Sequence, residues 1–197
     1  MDAHRLLSAD HVRARLGSNA PRELARGAGV RFAAVAAVLR WRPGGPEILL
    51  IRRREDPRDP WSGHMALPGG REEPGDTDLC ATAVRETREE VALDLAAGGR
   101  LLGRLDEMSA VARGRPVDLV VAPFVFELCA DVEPAPCEEV EAVLWAPLAA
   151  MLDGSTATTR SYVLDDQLLE LPAYRVGEHV VWGLTYRMLG SLFDVLR

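Results

Sequence analysis

Residues Pro68–Leu93, PGGREEPGDTDLCATAVRETREEVAL, join a Gly-rich turn to a helix whose far end carries Arg85-Glu86 and Glu89-Glu90. Successive helical residues are about 100° apart, so Glu86, Glu89 and Glu90 project from one side within roughly a quarter turn. Three carboxylates crowded there repel one another and destabilise an isolated helix. A divalent cation removes that repulsion, and oxygen-only ligands suit Mg²⁺ or Mn²⁺ best. A solvated acidic face is the ordinary reading of a glutamate cluster. The Pro-Gly-Gly turn before this one, and Arg85 beside it, favour a metal site. Arg85 lies four residues before Glu89, so it can pair with that carboxylate and fix its orientation, or turn its charge to a substrate.

Outward from this stretch, 197 residues fit one domain with a sizeable core, and 48% hydrophobic residues are ordinary for a globular chain. The formal charge of −7 argues against a general nucleic-acid binder, although local arginines and a metal can still receive a phosphorylated small molecule. All basic side chains in the Lys+Arg count of 23 are arginines. The 3 cysteines, Cys80, Cys129 and Cys137, show neither zinc spacing nor a disulfide framework, and buried reduced thiols are expected. The charged N-terminus lacks a signal-peptide core and no segment reaches the length of a membrane span, so a cytoplasmic protein without membrane partners is expected.

A short helix over Ala9–Leu16, capped by Ser8, and a polar connector make up residues 1–30. Residues 31–197 form the main domain. Arg31–Trp41 and Glu47–Arg53 read as a hairpin about Pro43-Gly44-Gly45-Pro46, and Met65–Leu67 as a short strand. Further strands are expected at Arg100–Met108, Val117–Leu128 and Glu139–Trp145, followed by a short helix with Pro147 in its first turn. A weaker pair follows at Ser161–Leu164 and Leu169–Tyr174, and the run from His179 to Arg197 is spaced for a final helix. Strands and helices without regular alternation favour an α+β fold.

The glycine turn with Arg-Glu-x-x-Glu-Glu resembles the signature of the Nudix hydrolases, at Gly70, Arg85, Glu86, Glu89 and Glu90. Three positions depart from it. The stretch between Gly70 and Arg85 is one residue longer, Asp76 or Asp78 stands where glutamate is common, and Ala92 replaces a closing glycine. A left-handed cap there is costly for alanine. The resemblance implies a mixed sheet sandwiched between helices and a Mg²⁺- or Mn²⁺-dependent diphosphatase. Glu86, Glu89, Glu90 and the Gly70 carbonyl would hold metal, and Arg85 would orient a carboxylate.

A nucleoside-diphosphate linkage resists water because its charges repel a nucleophile, so its hydrolysis needs cations, a positioned water and a base. Many relatives take an extra glutamate from before a Glu-Val-x-x-x-x-Trp-x-Pro-Leu strand. Glu139 in EVEAVLWAPL matches, with Glu138 beside it, and Glu89 or Glu90 is the alternative base. Arg52 and Arg54, on the face opposite Arg53 by strand alternation, are the arginines expected at the diphosphate, with Gly69 and Gly70. Trp61 and His64 are expected to pack rather than act.

The lengthened box and the run LPAYRVGEHVVWGLTYRML look like the coenzyme A pyrophosphatase branch, which would split CoA into adenosine 3′,5′-bisphosphate and 4′-phosphopantetheine. The lead-in DPWSGHMALPGG departs from that branch at Asp59, Trp61 and His64. Two alternatives stand beside it: a hydrolase of ADP-ribose, dinucleotides or nucleotide sugars, and an inactive ligand sensor. A homodimer is compatible with each.

Overall fold

The computed structural model describes residues 3–197. Two short helices, α1 (Ala3–Leu6) and α2 (Ala9–Gly17), precede the hairpin of β1 (Arg31–Arg42) and β2 (Gly45–Arg53). Then come β3 (Met65–Ala66), β4 (Gly69–Arg71), the long helix α3 (Leu79–Val91) and a short α4 (Leu95–Gly98). Strands β5 (Gly99–Arg104), β6 (Met108–Ala112), β7 (Arg115–Leu128) and β8 (Val140–Pro147) lead to α5 (Leu148–Leu152). The chain closes with β9 (Ala157–Leu164), β10 (Gln167–Val176), β11 (His179–Trp182) and α6 (Gly183–Leu196).

Eight strands make one mixed sheet, with β3-β2-β1-β7-β5 in order, β4 also on β1, β6 also on β7 and β8 also on β2. The central β1–β7 pair is parallel, and the β1–β2 hairpin is antiparallel. Strand alternation sorts the core onto two faces. Ala34, Ala36 and Val38 of β1, Leu49 and Ile51 of β2, and Phe124 and Phe126 of β7 pack with Leu79, Ala83 and Val91 of α3. Ala37 and Leu39, Ile48 and Leu50, and Val121 and Val125 face the other way. They meet Val12 and Leu16 of α2 and Met188, Leu189, Leu192 and Phe193 of α6. The architecture is therefore α+β, with helices on both faces of a mixed sheet, as the resemblance implies. The N-terminal segment shares this core: Arg13 of α2 donates two hydrogen bonds to the buried Glu127 of β7, at 2.6 and 3.1 Å.

Several local expectations are corrected. Ser8 holds the N-cap position of α2, but its hydroxyl donates back to the Arg5 carbonyl instead of accepting from the first turn. The strand expected over Arg100–Met108 divides into β5 and β6 around Leu105-Asp106-Glu107, because Glu107 turns inward and is almost wholly buried. The strand expected from Val117 begins at Arg115, directly after a hairpin turn in which Arg113 and Gly114 both stand at positive φ. Pro147 caps α5 from outside its first turn. The final helix begins at Gly183, not His179: His179–Trp182 pairs with β10 as a third strand of a separate small sheet, and the glycine's φ of 64° turns the chain into α6. Cys129 is exposed, while Cys80 and Cys137 are half-buried, and all three are free thiols. Among the described residues no helix is long and apolar enough to cross a membrane.

Candidate active site

Helix α3 is started by Asp78, whose carboxylate accepts the Ala81 N–H at 2.8 Å. Its exit falls on Ala92, at φ 57° in the left-handed region, so alanine bears the conformational cost that a glycine would avoid. Between these ends, Leu79, Ala83 and Val91 anchor the helix on the sheet, which turns Glu86 and Glu90 toward β4. The turn into β4 is glycine by necessity. A Cβ on Gly69 would overlap the Ala34 carbonyl and the Val35 backbone, and one on Gly70 would overlap the Glu86 carboxylate.

Arg85 sits at the centre of the acids. It donates to both oxygens of Asp76 (2.9 and 3.0 Å), to Glu86 at 2.9 Å, to Glu89 at 3.0 Å and to the Arg71 carbonyl at 3.0 Å. Asp76 also accepts from the Glu73 N–H and the Thr82 hydroxyl, each at 2.9 Å. These bonds, those of Arg85 foremost, hold the Asp76 carboxyl far below its usual range, and Arg85 itself is held firmly protonated. The two aspartates of the long insert thus have separate tasks: Asp78 caps the helix and Asp76 fixes the arginine.

Glu90 is the most buried acid of the three, accepting the Gly69 N–H at 2.8 Å with Arg53 at 3.7 Å from its other oxygen. Burial pushes its carboxyl up to about 7, against the Gly69 and Arg53 contacts, with Glu86 and Glu139 adding to the rise. Burial also raises Glu86, outweighing Arg85. Glu89 is more than half exposed. Glu139 lies on an exposed loop tied to β2 by the Arg54 N–H to Glu139 carbonyl bond at 2.8 Å, near enough for its charge to act on Glu90.

All these donors are hard oxygens, and two neighbouring carboxylates are made harder to ionise by burial, a strain that a divalent cation relieves. In chemistry the set fits Mg²⁺ or Mn²⁺. In placement it is not a ready cage: among the described residues no three His, Cys, Asp or Glu side chains converge on one point. Arg85 draws Glu86 and Glu89, and a cation would compete with it for them.

Of the arginines expected at the diphosphate, Arg52 pairs with Glu141 at 2.8 Å and Glu55 at 3.7 Å, and Arg54 is exposed. The arginine at the acids is Arg53. Leu49 and Ile51 already lie on the α3 face, and alternation from them carries Arg53 to Glu90. Its guanidinium is held by Asp59 at 2.7 and 3.0 Å. The anchoring roles of Asp76 and Asp59 were not anticipated; an acid nine residues before Arg85 was the signal for the first.

Residues 30–167 match the family model described as NUDIX domain. NudL of Pectobacterium atrosepticum, an uncharacterised Nudix hydrolase, is 32% identical over 152 residues, covering 75% of this chain and 73% of its own. Human NUDT8, a mitochondrial coenzyme A diphosphatase, is 30% identical over 150 residues, covering 72% and 59%. The chain spans from 33% to 73% of the length of the first curated relatives it matches. A MutT/nudix protein structure from Enterococcus faecalis superposes with a TM-score of 0.57 at 15% identity, over 98% of this chain and 70% of that one, a likeness of fold. With a family model over more than half of its length and a relative above 30% identity aligned along most of both sequences, the chain belongs to the Nudix hydrolase superfamily.

Proposed function

We propose that this protein hydrolyses the diphosphate bond of a nucleoside diphosphate derivative, with coenzyme A or acyl-CoA as the substrate and adenosine 3′,5′-bisphosphate and (acyl-)4′-phosphopantetheine as products. The observation that carries the reaction class is the pair of carboxylates, the buried Glu90 and the half-buried Glu86, pressed against Gly69 and Gly70 beside Arg85. Support for CoA comes from the human relative named a coenzyme A diphosphatase and from the extra residue between Gly70 and Arg85.

Glu86 and Glu90, with Glu89 and the Gly70 carbonyl, would hold Mg²⁺ or Mn²⁺. Such a cation, when bound, neutralises phosphate oxygens and lowers the pKa of water. Arg85, fixed by Asp76, holds the orientation of the half-buried Glu86 and the exposed Glu89 by a hydrogen bond to each. Arg53, beside Glu90, supplies positive charge where the diphosphate oxygens gain negative charge in the transition state. A water attacks one phosphorus, the bridging P–O bond breaks and the other phosphate leaves with the electron pair. The proton passes to a carboxylate, either Glu139 on its exposed loop or a helix glutamate. A panel of CoA, acetyl-CoA, ADP-ribose and nucleotide sugars, assayed with Mg²⁺, tests the substrate. Turnover of CoA is expected; ADP-ribose turnover with CoA untouched would replace it, and binding without turnover would favour a sensor.

A further inference from the structure

Beside the glutamates lies a group of side chains that the hydrolytic chemistry leaves unused. The Arg53 N–H donates to the His64 carbonyl at 3.0 Å, so His64 is a direct neighbour of the arginine at Glu90. The His64 ring packs on Trp182, centroids 4.7 Å apart at 53°, and Tyr162 packs on Trp182 at 5.4 Å and 43°. The Arg160 guanidinium stands 6.0 Å from the Trp182 ring centre, at the outer reach of a cation–π contact.

These residues share a face for a reason of register. Arg160 pairs with Leu171, Tyr162 with Leu169, and Ala173 with Trp182, so alternate positions of β9, β10 and β11 point the same way. That face turns toward the lead-in to the glycine turn, which Thr185 also holds by donating to the Met65 carbonyl at 3.1 Å. His64, Tyr162 and Trp182 are half-buried, with the His64 and Tyr162 rings both tilted to the Trp182 ring, so each of the three keeps part of its surface open, while Arg160 is exposed. Aromatic surface beside an exposed arginine, linked through His64 to the arginine that stands at Glu90, matches a planar base followed by a charged sugar.

We propose that the Tyr162–Trp182 face seats the nucleoside half of the substrate, its purine base against the rings and Arg160 on a phosphate carried by the ribose. The assignment rests on the diphosphatase reading for its chemistry, but binding alone tests it. Adenosine 3′,5′-bisphosphate and 5′-AMP are titrated calorimetrically into the full chain with Mg²⁺, and into Tyr162→Ala and Arg160→Met, which alter partly or fully exposed side chains. Tyr162→Ala should weaken both nucleotides about tenfold, the scale of a lost base–aromatic stack. Arg160→Met should weaken the bisphosphate about tenfold and 5′-AMP less than about twofold, as expected for one charge-assisted contact. Equal affinities across all three proteins, or no binding by the unaltered chain at millimolar nucleotide, would overturn the proposal. The two readings fail separately. The expected binding pattern without CoA hydrolysis removes only the substrate, whereas CoA hydrolysis with an unchanged KM in both variants removes only this subsite.

Discussion

Glu90→Gln keeps the shape of a buried side chain and an acceptor for the Gly69 N–H, but takes away its charge. In the metal-free protein the folded carboxyl titrates near 7 against an ordinary 4.5. A carboxyl raised by folding favours the fold fully below its unfolded value, and that contribution is lost as pH rises through the folded one. At pH 8 the ionised Glu90 therefore opposes folding by up to about 3 kcal/mol, taking 1.36 kcal/mol for each pH unit between the two values. In EDTA, Glu90→Gln should melt roughly 6 to 12 °C above the unaltered protein at pH 8, and close to it near pH 4.5. Mg²⁺ should narrow the gap, because a cation favours the ionised carboxylate. Turnover should meanwhile fall at least about a hundredfold. Thermal unfolding at the two pH values, with and without EDTA, reads the first part and a steady-state assay the second. A variant less stable than the parent at pH 8 in EDTA, or one that keeps its activity, would refute the reasoning.

Three further substitutions probe the supports of the site. Gly70→Ala forces a methyl group into the Glu86 carboxylate, so kcat should drop at least about tenfold with the fold retained by circular dichroism. Asp76→Asn leaves Arg85 without its charged anchor and should lower stability at pH 7 by about 2 kcal/mol in denaturant titration. Since the native Asp76 carboxyl titrates well below its ordinary 3.8, its stabilisation is present above that value and lost as pH falls below it. The variant should therefore lose part of the parent's acid sensitivity. Ala92→Gly relieves an alanine at φ 57° and should stabilise by about 1 kcal/mol, raising Tm roughly 2 to 4 °C without changing kcat.

The features legible in the sequence were those set by local rules. The Pro68–Leu93 stretch gives a helix with its acids on one side because that geometry depends on 3.6-residue spacing alone. The β1–β2 hairpin follows from two apolar runs around a Gly-Pro turn. Features that depend on distant neighbours were hidden. Alternation separates Arg53 from Arg52 and Arg54, but only the docking of α3 on Leu49 and Ile51 decides which arginine meets Glu90. His179–Trp182 carries helical spacing and is drawn into a strand by its partner β10, a tertiary override of local pattern. The bond from Asp76 to Arg85 crosses the loop that the one-residue extension lengthens, so spacing alone did not separate the tasks of Asp76 and Asp78.

The most direct measurement incubates the purified chain and Glu90→Gln side by side with CoA and Mg²⁺ and separates the products chromatographically. Equal amounts of adenosine 3′,5′-bisphosphate and 4′-phosphopantetheine should form with the parent, at least about a hundredfold slower with the variant, and not at all in EDTA. Intact CoA with the parent, or the same product yield from both proteins, would contradict the assignment of this acid-lined glycine turn as the centre that cleaves the diphosphate.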